Sequence, residues 1–400
     1  MNPDRSLKRY WANLVSVPYR VLFLGGMTQL VLATGWWAYD LSARYGGLVP
    51  FEHPLVMPVA LHAFLMIDGL MPFFMFGFLF TAGPRWLDVP APPVRFYFPV
   101  ALFMGLGILM VDAGMLVSVS LVMAGTLIYL LGWGGGLATT FYLMQANLNA
   151  DRRHIAPIAL ALFMGWLGAL AWLVWLKTGN PVWFRFVRID GIWLFLLPVF
   201  LSVTHRMIPF FSRAVMDDSS PPWRPFWLLW LMLAGLVLHA LFEWIHMPAF
   251  LWPDDLGLAI AGGVLCWRWK SVRSFRIKLL AMLHVGFGWF AVGMLFFAIQ
   301  DWVDLKYPGQ GIAFGWAPLH VLTMGFFLSI LLAMVLRVSL GHGGRSLIAS
   351  RWSWRVFVLY QLAMVLRVSA DIVQGIPVGD FYFISALLAA GCFLFWFFMV

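Results

Sequence analysis

Long apolar runs separated by short polar segments dominate this 400-residue chain. A helix needs about 20 apolar residues to cross the hydrocarbon core of a bilayer. Runs of that length begin near Tyr19, Pro58, Phe96, Val119, Ile155, Gly191, Phe226, Trp252, Phe275, Ile312, Trp352 and Asp380. The pattern predicts an all-α, polytopic membrane helix bundle of about 12 transmembrane helices. No polar linker is long enough to separate domains, so we expect one transmembrane domain over residues 1–400.

The lysines and arginines are distributed unevenly between the two sides of this predicted topology. An even number of crossings places both termini on one side, and most of the 26 Lys and Arg residues fall on that side, including the dense run Arg268–Lys278. Basic residues accumulate in cytoplasmic loops. We therefore expect both termini, including a short N-terminal segment of about residues 1–17, to be cytoplasmic. An odd number of crossings would weaken this prediction.

Composition excludes several other classes. Hydrophobic residues form 62% of the chain and charged residues 11%, so a soluble fold would expose large adhesive patches. The net charge of +9 comes from basic residues in short connecting segments, which argues against a nucleic-acid partner. The two cysteines, Cys266 and Cys392, form no CxxC or CxxCH motif. A disulfide framework, a zinc knuckle and a covalently attached haem are therefore not expected.

Several charged residues fall inside apolar runs, where an ionised group costs several kcal/mol unless it is paired. Asp68 and Asp112 lie deep in the second and third predicted helices, and Arg367 lies one turn before Asp371. One interpretation is structural pairing, either Arg367–Asp371 at helical spacing or Arg367–Asp68. The other is a proton route or an anchor for an anionic cofactor group. The segment LAMVLRVS occurs twice, at Leu332–Ser339 and Leu362–Ser369. Either the repeat reflects residues that are common in membrane helices, or both arginines pair with an acidic group.

Six of the nine histidines fall in or at the edges of apolar runs. A single membrane histidine is usually a packing residue, but several helices can bring imidazoles together as ligands for haem iron or copper. In the expected orientation one group lies in the outer half of the membrane: His62, His239, His246 and His320. A second group lies in the inner half or at the inner surface: His205, His284 and His342. Of these, His62, His284 and His320 are our first choices, and His239 and His246 are spaced to share a helical face. Arg206 and Arg337 are candidates to pair with haem propionates.

Four segments of the chain form a distinctive set of motifs: LHAFLM followed by FGFLFTAGPRWL within Leu61–Leu87, THRMIPFF at Thr204–Phe211, LHVGFGWFAVG at Leu283–Gly293, and LHVLTMGFFLSILLAMVLRVSLGHGGRSL at Leu319–Leu347. Together they resemble the NnrS family of bacterial inner-membrane proteins. The resemblance extends from near Pro18 to near Asp371, and the family's motif histidines correspond to His62, His205, His284, His320 and His342. Many members read HAHE at the second helix, whereas this chain reads His62-Ala63-Phe64. A metal site that needs all three groups is therefore not expected here.

The resemblance implies a haem-binding protein, with haem b and with copper as a second metal, that acts in the nitric oxide response or metabolism and in nitrosative-stress tolerance. The implied setting is the inner membrane of denitrifying or pathogenic bacteria; the partners are the lipid bilayer, nitric oxide as small-molecule ligand, and an electron donor that the sequence does not identify. If the protein is enzymatic, it is a haem-dependent oxidoreductase acting on nitric oxide. Two alternatives remain. One is a nitric oxide reductase with an independently evolved metal site, since the chain has no HH pair typical of haem–copper oxidases. The other is a transporter of a metal or a metal–nitric oxide species.

Overall fold

The chain is described by a computed structural model that covers residues 11–49, 55–216, 222–309, 314–373 and 375–399. Over these residues it forms helices and no strand. Its long helices, in chain order, are α1 Pro18–Tyr45, α2 Pro58–Leu87, α3 Val94–Val117, α4 Val119–Ala146, α5 Ile155–Thr178, α6 Pro181–Arg213, α7 Phe226–Trp244, α8 Pro248–Arg268, α9 Lys278–Lys306, α10 Ala317–His342, α11 Arg351–Ile372 and α12 Val378–Met399. The predicted all-α membrane bundle is confirmed.

Eleven of these helices are long and apolar enough to cross a membrane. The remaining one, α11, is 22 residues long but carries Arg351, Arg355, Arg367 and Asp371. Two of those charges neutralise each other, because Arg367 donates from Nη1 to Asp371 Oδ2 at 2.8 Å. The Arg367–Asp371 pairing predicted from spacing is therefore confirmed. Because the parity of the crossings depends on α11, the cytoplasmic position of both termini stays a prediction.

Helix starts were predicted well where an apolar run begins beside a proline or a capping residue, as at Pro58 and Val119. Ser118 alone separates α3 from α4, and its hydroxyl accepts a hydrogen bond from the Leu121 amide, so this short connection is an N-cap. The predicted start near Gly191 is wrong by ten residues, since α6 begins at Pro181 behind the Asn180 cap. The predicted start near Ile312 lies outside the described residues, and the N-terminal segment of about 1–17 lies partly outside them.

Three long helices contain a π-helical segment. These segments are Leu65–Gly69 in α2, Asp190–Leu196 in α6 and Val321–Leu328 in α10. A π turn frees a backbone carbonyl and is frequent at functional sites. In α2 the Tyr129 hydroxyl, from α4, donates to the carbonyl of Asp68 at 2.6 Å. The apolar pattern did not predict these segments, because they change the helical pitch without changing composition.

The chain divides into two compact units. The first unit comprises Met1–Ala33 and Phe51–Phe195, and the second comprises Thr34–Pro50 and Leu196–Val400. In the first unit α3 and α4 approach closely, since a side chain on Gly107 would meet the backbone of Tyr129 at 2.3 Å. The core of the second unit contains stacked or edge-packed aromatic rings, among them Phe287, Phe290 and Phe326.

Candidate functional site

A group of acidic side chains surrounds one buried histidine in the second unit. His239 lies near the end of α7, and Asp254 and Asp255 lie in the second turn of α8. One potential ligand atom from each of these three residues lies within 4.8 Å of the others. No other group of three or more His, Cys, Asp or Glu residues meets this criterion in the described part of the chain. We call these residues the His239 centre.

The geometry of the His239 centre is built around a short imidazole–carboxylate contact. His239 Nδ1 lies 2.7 Å from Asp255 Oδ1, and both residues are nearly inaccessible to solvent, at 2% and 0% exposure. Glu243, one helical turn after His239, places Oε2 at 3.8 Å from Nε2. The Asp255 carboxyl also interacts with that of Asp301, near the end of α9. The centre therefore joins the ends of three consecutive helices.

Within the described part of the chain, three oxygens at the His239 centre are buried without a hydrogen-bond partner: Oδ2 of Asp254, Oδ2 of Asp255 and Oδ2 of Asp301. Buried carboxylate oxygens are costly unless a cation or a donor satisfies them. One imidazole and several carboxylates form a donor set of intermediate hardness, which suits Fe²⁺, Mn²⁺ or Zn²⁺ and is harder than the set that Cu⁺ prefers. These residues could therefore hold a divalent metal ion.

The structure changes the prediction for the second histidine of this region. His246 was expected to share a helical face with His239, but α7 ends at Trp244 and His246 lies beyond it, exposed and with φ +58°. The predicted shared face is therefore wrong. The partners that the sequence analysis missed are Asp254, Asp255 and Asp301. Their signal was three aspartates just inside the ends of apolar runs, where they resemble ordinary interfacial residues.

A second polar arrangement in the same unit is centred on the motif histidine His284. His284, on α9, has both ring nitrogens bonded to serine hydroxyls, Nε2 to Ser212 and Nδ1 to Ser271, each at 2.9 Å. Both hydroxyls also donate to a backbone carbonyl at 2.8 Å, Ser271 to that of Cys266 and Ser212 to that of Ile208, so each serine oxygen can accept from the imidazole and neither one fixes the tautomer. His284 is thus fixed in orientation, and it can ligate a metal only if one serine releases it.

Arg337, on α10, lies over the ring of Phe211 with its guanidinium carbon 3.7 Å from the ring centroid. Phe211 and Ser212 are neighbours on α6, so this helix contacts both Arg337 and His284. Arg337 is 8% exposed, and it forms no ion pair with an acidic side chain among the described residues. A buried guanidinium in a membrane helix normally faces an anion. This environment fits a negatively charged cofactor group.

His205, two turns before Ser212 on α6, is buried at 2% exposure. Its ring bonds to the backbone of Pro225 and lies near the rings of Phe226 and Trp269, at centroid distances of 6.0 and 6.5 Å. A histidine oriented through one nitrogen by a backbone carbonyl is the usual arrangement of a metal ligand.

The remaining predicted ligands have different environments. His320, directly before the π segment of α10, is partly buried and its Nδ1 lies 2.9 Å from the carbonyl of Trp316. His62 is partly buried in the first unit, three residues before the π segment of α2. His342 is exposed at the end of α10, and Arg206 is partly buried on α6. The structure does not place any two of the predicted histidines in one three-residue ligand group.

Two comparisons with known proteins bear on this arrangement. A family model described as NnrS protein matches residues 13–400, nearly the whole chain. No protein among the curated sequences matches it.

Proposed function

We propose that this chain, which belongs to the NnrS family, is a haem-binding protein of the bacterial inner membrane that acts in nitric oxide response or metabolism and in nitrosative-stress tolerance. The family assignment and the multi-pass helical fold are the basis of this proposal. From this basis we further infer haem b as the cofactor, nitric oxide as the ligand and a cytoplasmic position of both termini.

The observation that carries the haem proposal is the environment of Arg337. A guanidinium at 8% exposure without an acidic side chain beside it needs a negative charge from elsewhere. A haem propionate supplies such a charge, and it forms strong charge-assisted hydrogen bonds with arginine. The ring of Phe211 orients the guanidinium without neutralising it. Arg337 would therefore fix the acidic edge of the macrocycle.

His205 is the motif histidine of the second unit best suited to hold the haem iron, because its ring is buried and oriented by the Pro225 backbone. His284 would serve as a ligand only after exchanging a serine hydroxyl for the metal, whereas its present bonds suit a positioning residue. When bound, haem supplies an iron that takes a diatomic ligand such as nitric oxide. The protein's own residues bind and orient the group, and they exclude water from it.

A nitric oxide-reducing enzyme is the second candidate function, and the His239 centre is the observation that favours it. A second redox metal could take part in such a reduction together with haem, and this centre offers one imidazole and several carboxylates to hold one. Copper is the second metal that family resemblance implies. The carboxylate-rich donor set suits iron better. Metal analysis of the purified protein distinguishes these two ions.

The visible absorption spectrum of the full-length protein, purified in detergent, tests the haem proposal. We expect a Soret band, with resolved α and β bands after reduction and a further shift when nitric oxide is added. Arg337→Gln and His205→Ala are each expected to lower the haem content at least several-fold. His154→Ala is the matched control, because His154 is equally buried but lies before α5 in the first unit. It should retain the wild-type spectrum.

A colourless protein after expression with adequate haem supply would contradict the proposal. So would unchanged spectra in both variants, since the binding residues would then be others. A haem spectrum that does not respond to nitric oxide would support haem binding, but it would contradict nitric oxide as the ligand.

A further inference from the structure

Two fully buried aspartates lie on neighbouring helices of the first unit, away from the His239 centre in sequence. Asp68 lies in the π segment of α2, and Asp190 is the first residue of the π segment of α6. Each has 0% exposure. The residues beside them are in direct contact, because a side chain on Gly191 would meet Ile67 at 2.8 Å. Asp68 and Asp190 are therefore adjacent to the same contact between α2 and α6.

None of the four carboxyl oxygens of this pair has a hydrogen-bond partner among the residues that the structure describes. This differs from Asp112 in the same unit, whose Oδ1 accepts a hydrogen bond from Gln29 at 3.2 Å. One ionised carboxylate in such a place costs several kcal/mol, and two neighbouring ones also repel each other. The pair therefore needs a positive charge at its oxygens.

The packing around the pair limits the size of the cation that can supply this charge. A side chain on Gly168 of α5 would lie 2.5 Å from Asp190 Oδ2, so the carboxyl already rests on the backbone of that helix. One turn further along α5, Trp172 stacks on Phe64 of α2 with centroids 4.6 Å apart. Metal cations with oxygen ligands need about six or more of them at 2 Å or more. The close approach of α2, α5 and α6 favours a proton.

We propose that Asp68 and Asp190 form a proton-binding site within the membrane-spanning part of the first unit. A carboxylate oxygen of the pair takes up a proton and becomes an O–H group, and the same bond breaks when the proton is released. The remaining oxygens of the pair are the acceptors for that O–H group, as in other buried carboxyl pairs that share a proton. Nothing is oxidised or reduced in this step.

The ionisable groups around the pair are few. Tyr129, on α4, is fully buried and donates its hydroxyl proton to the Asp68 carbonyl, so it is oriented toward the backbone of the π segment. Asp112, on α3, has Gln29 as its partner. On α5 the residues that contact the pair and its neighbours, Gly168 and Trp172, do not titrate. On α6 the nearest charged residue before Asp190 is Arg188, which is exposed. The site is independent of the proposed haem and of nitric oxide.

Infrared spectroscopy of the full-length protein in lipid nanodiscs tests this site directly. Carbon-13 labelling of aspartate separates its carboxylic-acid C=O band from that of glutamate. We expect a protonated aspartate band at neutral pH, and we expect Asp68→Asn and Asp190→Asn each to remove or shift it. Asparagine preserves the size of the side chain, so the packing should persist.

Two further variants keep the test decisive if an asparagine variant fails to fold. Gly168→Ala pushes against Asp190 Oδ2 and should shift the band, whereas Gly105→Ala, which would meet nothing within 4 Å, should leave it unchanged. Asp151→Asn is the control for an ionised carboxylate. Hydrogen bonds from Arg153 hold the pKa of Asp151 below its usual range, so this substitution should remove no acid band.

The proposal is overturned if the acid band is the same in the wild type and in both asparagine variants. It is also overturned if the band appears only when Na⁺ and Mg²⁺ are removed at constant pH, because the pair would then bind a metal cation. A band that depends on pH, on both aspartates and not on these cations supports the proton site.

Discussion

The two buried acidic sites differ in what faces their carboxyl groups. At the His239 centre the Asp255 carboxylate meets an imidazole at 2.7 Å, and other carboxylates approach the same place. At the Asp68–Asp190 pair no carboxyl oxygen has a hydrogen-bond partner among the described residues, and Asp190 Oδ2 lies against the backbone of Gly168. An imidazole among carboxylates offers lone pairs of two kinds to a metal ion. Two closely packed carboxyl groups provide too few ligands for a metal ion, but they can bind a proton.

The comparison shows that burial of an acid does not by itself define its chemistry. Asp68 and Asp255 have the same exposure, 0%, and both have unsatisfied oxygens. The difference lies in the neighbours that other helices supply: α7 brings a histidine to Asp255, whereas α6 brings a second aspartate to Asp68. Parallel substitutions at the two sites should therefore have different effects.

The largest difference is expected for the same substitution, aspartate to asparagine, at Asp255 and at Asp68. Asp255→Asn removes a carboxylate ligand and the acidic partner of His239, so the affinity of the His239 centre for a divalent metal should fall by about 100-fold. Asp68→Asn leaves that centre intact. Elemental analysis of the purified variants, followed by competition against a chelator, measures the effect.

Equal loss of metal in both variants would contradict the expected difference between the two sites, since it would mean that the ion is not bound at His239. If the wild-type protein contains no stoichiometric metal after expression in metal-replete medium, the His239 centre is not a metal site. His246→Ala provides a second control, because the exposed His246 lies beyond the end of α7. Its metal content should equal that of the wild type.

The pH dependence of metal binding should also separate the sites. Imidazole and carboxyl groups must lose their protons before they ligate a metal, so binding releases protons and becomes stronger as the pH rises. With Zn²⁺ as a redox-silent probe we expect about one to two protons released per ion, and about a tenfold change in affinity per pH unit for each proton displaced. An indicator dye in weakly buffered solution counts these protons.

Asp68→Asn should leave the number of protons released by Zn²⁺ unchanged, because the proton of the Asp68–Asp190 pair is not displaced by an ion at the His239 centre. A change in that number would show that the two sites are linked. Asp255→Asn should abolish the release together with the binding.

The sequence was sufficient for the existence of the long helices and for His239, but not for the start of α6. Apolar length and helix-start residues located α2, α4, α5 and α7 to within a residue, because bilayer thickness sets the length of a spanning helix. His239, His284 and Arg337 were identified because a polar residue in an apolar run is costly. Each has a specific partner in the structure: Asp255, the two serines and Phe211.

The remaining features depend on which helices are neighbours, and spacing along the chain does not contain that information. Asp255 and Asp301 lie 46 positions apart by residue number, and only the packing of α8 against α9 makes them one site. Asp190 was missed because Arg185, Arg188 and Asp190 interrupt the apolar run, so the start of α6 was placed after them. The π segments, which orient Asp68 and Asp190, have no compositional signal.

The smallest expected effect comes from a glycine beside the His239 centre. Gly235 lies one turn before His239 on α7, and a side chain there would meet Leu258 at 3.0 Å and Asp254 Oδ1 at 3.2 Å. Gly235→Ala should move the Asp254 carboxylate by a few tenths of an ångström, and metal ligation is sensitive to shifts of about that size. We expect a loss of metal affinity of about three- to tenfold with the ion retained, measured by the same chelator competition. Gly257→Ala, on α8 with nothing within 4 Å, is the matched control and should bind like the wild type. Equal affinity in both alanine variants would place Asp254 outside the ligand set and reduce the centre to His239, Asp255 and Asp301.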